Sequence, residues 1–182
     1  MIRKTAKELL AASFRELAEK KSIDKITVGD IARNCGYSPA TFYRHFKDKY
    51  DLIAWDYARQ TEGIMSRING EDYPWRQTLL DGVRHYASQR EYLANLFQHT
   101  PGHDSFVQYM TEINFNALKA HLLAMNGKSS LEGEEELYVR LYCLGTVSLI
   151  CEWILGKYDC APEELARVFE NSLPGPLRAY LL

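Results

Sequence analysis

The stretch TVGDIARNCGYSPATFYRHFKDKYDL, residues 27–52, contains two helix starts with one tight turn between them, and this constrains the chain more than any other feature. Thr27 can N-cap a short helix holding Val28, Ile31 and Ala32, because its hydroxyl accepts from an otherwise unpaired N–H of the first turn. Gly36 in the NCGY turn is free to take positive φ. Ser38 is the next N-cap, followed by Pro39 at the first helical position, where its missing N–H costs nothing. This second helix is expected to run to about Phe46. Phe42 and Phe46 fall four apart and face inward with Ile31 and Ala32, which leaves Ala40, Thr41, Arg44 and His45 pointing outward. Asp48 should then cap a longer helix over roughly 49–68.

An outer face that is poor in apolar residues makes little sense as core. Two short helices joined by a glycine-containing turn, with a third packing across them, follow the helix-turn-helix plan, whose second helix enters the major groove. The third helix is expected over 3–20, where Ala6, Leu10, Phe14 and Leu17 form an amphipathic stripe. On a groove-facing helix Arg44 can fork onto guanine and the Thr41 methyl can touch a thymine methyl. Tyr43, His45 and Lys49 are placed to contact phosphates, as is Thr27 through its hydroxyl or the helix-end amides. Charge agrees with this reading. Residues 1–50 hold 11 Lys and Arg against 6 Asp and Glu, a balance of +5, whereas residues 51–182 hold 11 against 18, a balance of −7.

The remainder also reads as helix, near 74–89, 91–98, 103–125, 132–156 and 162–172, separated by NGEDYP, TPGH, NGKSS, YDCAP and LPGP. No segment alternates with the period of a strand, so the expected fold is all-α with about nine helices: a three-helix head and a larger helical body. Residues 137–155 are the most apolar run and have the length of a membrane span. Arg140 and Glu152 lie inside that run and its flanks are acidic, which argues against insertion. Leu137, Leu141, Leu144, Ser148 and Cys151 form one stripe; Tyr138, Tyr142, Gly145, Leu149 and Trp153 form another. A helix apolar on two faces packs between two bodies, and Tyr138, Tyr142, Gly145 and Leu149 are taken as the face toward a second subunit. Trp75, Tyr86, Phe106, Tyr109, Met110 and Trp153 are candidates to line a pocket in the body.

Other chemistry finds little support. His99 and His103 are four apart, but Pro101 and Gly102 intervene, so they share no helical face and no metal is expected. Cys35, Cys143, Cys151 and Cys160 have no C-x-x-C spacing and read as reduced thiols. Neither a G-x-S-x-G, a phosphate-binding loop, a G-x-G-x-x-G nor an H-E-x-x-H is present, so no enzyme and no cofactor are expected. The opening MIRKTAKELLAASF lacks an apolar core of signal-peptide length, and a cytoplasmic location is expected.

The segment ITVGDIARNCGYSPATFYRHFKDKYDLI, residues 26–53, resembles the DNA-binding segment of the TetR family of bacterial transcriptional regulators. It departs from that pattern at Cys35, where alanine is usual, and at Ala40, where glycine is commoner. The resemblance implies a homodimer on a double-stranded, pseudo-palindromic operator, paired through its last two long helices, with a small-molecule effector in the body shifting DNA affinity. It implies a DNA-binding domain over 1–48 and an effector-binding and dimerisation domain over 49–182. The more distal YASQREYLANLF and LYCLGTVSLICEWILGKYDCAPEELA are similar to the C-terminal region of the dihydroxyacetone kinase regulator-like subgroup. The residues leave a rival open: a helical interaction module that binds DNA only with a partner or effector.

Overall fold

The computed structural model describes residues 4–67, 73–99 and 103–182, with side chains of the last segment from Phe106 onward. The turns expected at NGEDYP and TPGH fall largely on 68–72 and 100–102, outside the described residues, as does the side chain of His103. Ten α-helices are described and no strand: α1 (Ala6–Ala18), α2 (Val28–Asn34), α3 (Pro39–Tyr43), α4 (Lys49–Met65), α5 (Trp75–Ser88), α6 (Arg90–His99), α7 (His103–Asn126), α8 (Glu134–Ile154), α9 (Pro162–Asn171) and α10 (Gly175–Leu181). The all-α expectation holds. The tenth helix was not expected, because Pro174 and Pro176 read as a break; Pro sits in the first turn of α10, where it is tolerated. A 3-10 turn at Ile23–Lys25 occupies the loop before α2.

The helix boundaries follow local chemistry. Thr5 and Thr27 each close a reciprocal capping box, with Glu8 and Asp30 respectively. Asp48 Oδ1 accepts from the Tyr50 and Asp51 N–H groups at the start of α4. At the end of α2 the Tyr37 N–H donates to Ala32 O (2.8 Å) and the Gly36 N–H to Arg33 O (3.1 Å), with Gly36 at φ 76°. This is a Schellman ending, and it requires the left-handed residue that glycine supplies. The helix α3 ends at Tyr43, three residues before the expected limit, although N–H groups of His45 and Phe46 still bond Phe42 O.

The chain forms two compact units, Met1–Arg59 with Glu91–His103, and Gln60–Arg90 with Asp104–Leu182. In the first, Leu10, Phe14, Ile31, Ala32, Phe42 and Phe46 are buried, joined by Leu93, Leu96 and Phe97 of α6. The Ser13 hydroxyl donates to Ile31 O at 2.7 Å, tying α1 to α2. Arg15 pairs with the buried Asp56 at 2.8 Å, tying α1 to α4. In the second unit, α5 packs on α9 and α10 on α8. Its core includes Trp75, Phe115, Leu122, Val139, Cys143 and Leu177. By length and composition α8 could cross a membrane. Within this unit, however, its Val139, Tyr142, Cys143, Val147 and Ile150 are buried, and Arg140 pairs with Glu112 while lying over the Phe115 ring.

Candidate nucleic-acid interface and body cavity

Around α3 the side chains divide as their spacing predicted. Phe42 is fully buried and Phe46 nearly so, whereas Ser38, Pro39, Ala40, Tyr43, Arg44 and His45 are exposed and Thr41 is half-buried. Ser38 Oγ accepts from the Thr41 N–H at 3.2 Å, fixing the first turn. Arg44 donates to Thr41 Oγ1 at 3.1 Å, so these two polar side chains lie together on the outer surface. Tyr43 is 60% exposed and leans edge-on against Phe42. Thr27 is exposed at the start of α2. Its box partner Asp30 also accepts from Lys21 at 2.9 Å and pairs with Arg33. The Lys21 hydrogen bond, with those from Thr27, holds the Asp30 carboxyl well below its ordinary pKa.

Lys49 departs from expectation. Its ammonium donates to Ile23 O (2.8 Å), Ile26 O (3.0 Å) and Asp24 O (3.2 Å), so its three donors are spent on the loop before Thr27 rather than offered to a phosphate. Burial lowers its pKa. The same loop is held by Asn95 of α6, which the sequence reading missed. Its amide donates to Ala18 O (2.7 Å) and Lys21 O (3.0 Å) and accepts from the Ile23 N–H (3.2 Å). No spacing in the sequence signals that contact, because α6 lies more than seventy positions further along the chain. Lys47 is an exposed cation just after α3 that the sequence reading also passed over.

The second unit contains a cavity of about 100 Å³ between α4, α5, α7, α8 and α9. Of the expected lining, Trp75, Tyr86 and Met110 form part of its wall. Phe106, Tyr109 and Trp153 are not in it. Trp153 is buried elsewhere: its indole N–H donates to Cys160 O at 3.0 Å and Arg90 stacks over its ring. The sequence reading missed Thr61, Thr78, Asn114 and Thr146, four neutral polar residues in the wall.

Of the α8 residues assigned to a second subunit, Tyr138 and Tyr142 are corrected, whereas Gly145 is exposed and Leu149 half-buried. Tyr142 is buried, with its hydroxyl donating to Phe169 O at 2.9 Å, and Tyr138 packs against its own core. The other stripe is the open one: Leu137, Leu141 and Leu144 are 68, 66 and 50% exposed, and Gly145 is exposed beside them. Next to that stripe a groove of about 330 Å³ runs between α8 and α9, bordered by Leu141, Gly145, Leu149 and Val168. Both stripes are apolar, so composition alone could not choose between them; packing of α10 and α5 against α8 decides.

Two family models match. Residues 4–54 match the bacterial regulatory proteins of the tetR family, and residues 74–175 match a transcriptional regulator C-terminal region. The chain belongs to the TetR family. It is therefore a regulator with a helix-turn-helix head and not an enzyme. A curated relative, an uncharacterized HTH-type transcriptional regulator of Haemophilus influenzae, is 39% identical over 49 residues, which span 27% of this chain and 24% of that one. Among solved structures, the dihydroxyacetone kinase operon activator DhaS is similar with a TM-score of 0.71 and 18% identity, over 97% of this chain and 98% of that one. A TetR transcriptional regulator from Streptococcus agalactiae 2603V gives 0.63 and 15% over 92% of each chain. At these identities the likeness is one of fold. In this TetR-family chain α3 lies within the segment that matches the family's N-terminal model.

Proposed function

We propose that this TetR-family protein acts in the cytoplasm as a homodimer that binds a pseudo-palindromic operator, represses from it, and is released by a small molecule held in the body. Residues 1–48 would form the DNA-binding domain and 49–182 the effector-binding and dimerisation domain. The observation that carries the reading is the sorting on α3, where both phenylalanines are buried and the polar and small side chains face outward. Thr41 and Arg44 would read base edges, while Tyr43, His45, the Ser38–Pro39–Ala40 turn and Thr27 would touch the backbone. Lys49 has a positioning role in this scheme, holding the loop that presents Thr27. Dimerisation would use the open stripe Leu137, Leu141 and Leu144 with Val168, because exposed apolar side chains in a row gain from being covered. Effector binding would favour a body conformation whose two recognition helices no longer match successive half-sites.

Selection of random duplexes by the purified protein, alongside its sedimentation, tests this. A dimer that enriches a palindrome, with affinity falling steeply as salt rises, is the expected result. Leu141→Glu should give a monomer of unchanged helicity that enriches nothing. A folded dimer that enriches no sequence would overturn the proposal.

A further inference from the structure

The outer face of α3 carries a short run of polar contacts that helix capping explains only in part. Ser38, Thr41 and Arg44 are spaced by three and so line up along one face of the helix. Arg44 is the C-cap, but its backbone is still helical, with φ −72° and ψ −20°, so the line extends to it. Ser38 Oγ and Thr41 Oγ1 lie 3.2 Å apart, and Arg44 Nη2 donates to Thr41 Oγ1 at 3.1 Å. A guanidinium has donors and no acceptor, so Thr41 accepts from Arg44 whichever way its proton turns toward Ser38. The N-cap accounts for Ser38. It does not account for the bond to Arg44.

Arg44 also differs from the other described arginines of the head. Arg15 pairs with Asp56, Arg33 with Asp30 and Arg59 with Glu8. Among the described residues no carboxylate pairs with Arg44, which is exposed and bonded to a neutral hydroxyl. Its charge is therefore held in place without being neutralised. The bond takes one Nη2 hydrogen of the five N–H donors, and the loss of either Nη2 hydrogen leaves one complete two-donor edge. Direction matters as much as charge. Side chains on a helix lean toward its N-terminus, and the bond to Thr41 holds Arg44 back toward the first turn of α3. That end of a recognition helix is the one that meets base edges, and a two-donor edge matches guanine O6 and N7.

We infer that Thr41 is a positioning residue: its hydroxyl, steadied by Ser38, aims Arg44 at a guanine, one in each operator half-site. An exposed arginine otherwise gives up its rotamer freedom at the moment of binding, which costs affinity. Here part of that freedom is already given up in the free protein, through the bond to Thr41. The inference rests on the reading of α3 as the recognition helix of an operator-binding dimer.

The test is selection of random duplexes by the full chain and by Thr41→Val, Thr41→Ser, Arg44→Ala and the double variant Thr41→Val with Arg44→Ala. The wild type should enrich a palindrome with a G·C pair in each half-site whose preference disappears in Arg44→Ala. Thr41→Val keeps the side-chain shape without the hydroxyl, and should weaken that preference by about fivefold or more while other positions keep theirs. Thr41→Ser keeps the hydroxyl and should keep the guanine. In the Arg44→Ala background, Thr41→Val should change nothing further at that pair, which a merely structural Thr41 would not obey. Relaxation of the Arg44 Nε–H group in the free protein adds a readout without DNA: ordered in the wild type and Thr41→Ser, mobile in Thr41→Val. Full guanine preference in Thr41→Val, or an Arg44 as mobile in the wild type as in that variant, overturns the positioning role and leaves Arg44 a base reader. Arg44→Ala enriching the wild-type sequence unchanged overturns the inference and spares the operator reading. A folded wild type that enriches no sequence overturns both.

Discussion

The head and the body of this protein are built from the same kind of helix but determined by different physics. In the head, helices of five and seven residues are fixed by chemistry at their own ends: Thr27 with Asp30, Gly36 at positive φ, Ser38 with Pro39. In the body, α8 is 21 residues long and apolar on most of its surface, so nothing local says which face turns inward. Short elements with strong punctuation are therefore fixed one by one, whereas a long apolar helix is oriented only by what packs on it.

The sharpest way to test that contrast is to truncate one apolar side chain in each region. Phe42 is fully buried under α3, and Phe42→Ala should cost about 3–5 kcal/mol. Leu144 is half exposed, and Leu144→Ala should change the stability of the isolated protomer by no more than about 0.5 kcal/mol. Denaturant titration of both variants at low protein concentration measures this. A comparable loss in the two would mean that the α8 stripe is already covered within one protomer.

A smaller effect separates the residues legible in the sequence from those that were not. The N-caps, the inward phenylalanines and the outward set on α3 could be read because each depends on neighbours within four positions. Lys49 and Asn95 could not. Both fasten the loop at 18–26 through contacts 23 to 77 positions apart, and in sequence each looks like an ordinary surface residue. The inward turn of Tyr138 and Tyr142 on α8 was illegible for a related reason, since it is set by the packing of α10 and α5 and not by neighbours in sequence. The same holds for the cavity: aromatic content suggested Trp153, whose indole N–H is instead spent on Cys160 O.

Asn95→Ala removes three partly buried hydrogen bonds to one loop and should destabilise the head by about 1–3 kcal/mol. Operator affinity should fall for all sequences alike, with base preference retained. Lys49→Ala should behave in the same way. If either variant changed base preference while the stability of the head held, the side chain would be reading DNA rather than positioning the loop.

Two glycines sharpen the comparison at about 1 kcal/mol. Gly36 has φ 76° and no atom within 4 Å of the place a Cβ would occupy, so its constraint is conformational and not steric. Gly36→Ala should destabilise the head by about 1 kcal/mol, the cost of a left-handed residue with a Cβ. Gly145 also has an open Cβ position but lies within α8, where alanine is favoured by about 1 kcal/mol. Gly145→Ala should therefore stabilise the protomer. Opposite signs in thermal melts of the two variants would confirm that the first glycine serves the backbone; equal signs would refute it.

The least effect expected is one of pH. Hydrogen bonds from Lys21 and Thr27 keep the Asp30 carboxyl ionised below its ordinary range, and the Thr5 box does the same for Glu8. A carboxyl whose folded pKa is depressed contributes stability above its unfolded pKa of about 4, and that contribution fades as the pH falls toward the folded value. Both groups lie at the surface, so solvent screens the effect. The loss should nevertheless fall on the head, because both capping boxes belong to it, and amide exchange at the starts of α1 and α2 should quicken between about pH 4 and pH 2. In Asp30→Asn the acceleration at α2 should vanish while that at α1 remains. If both helices still responded equally, acid would be acting through the net charge of the whole protein, and the local account of the head would need revision.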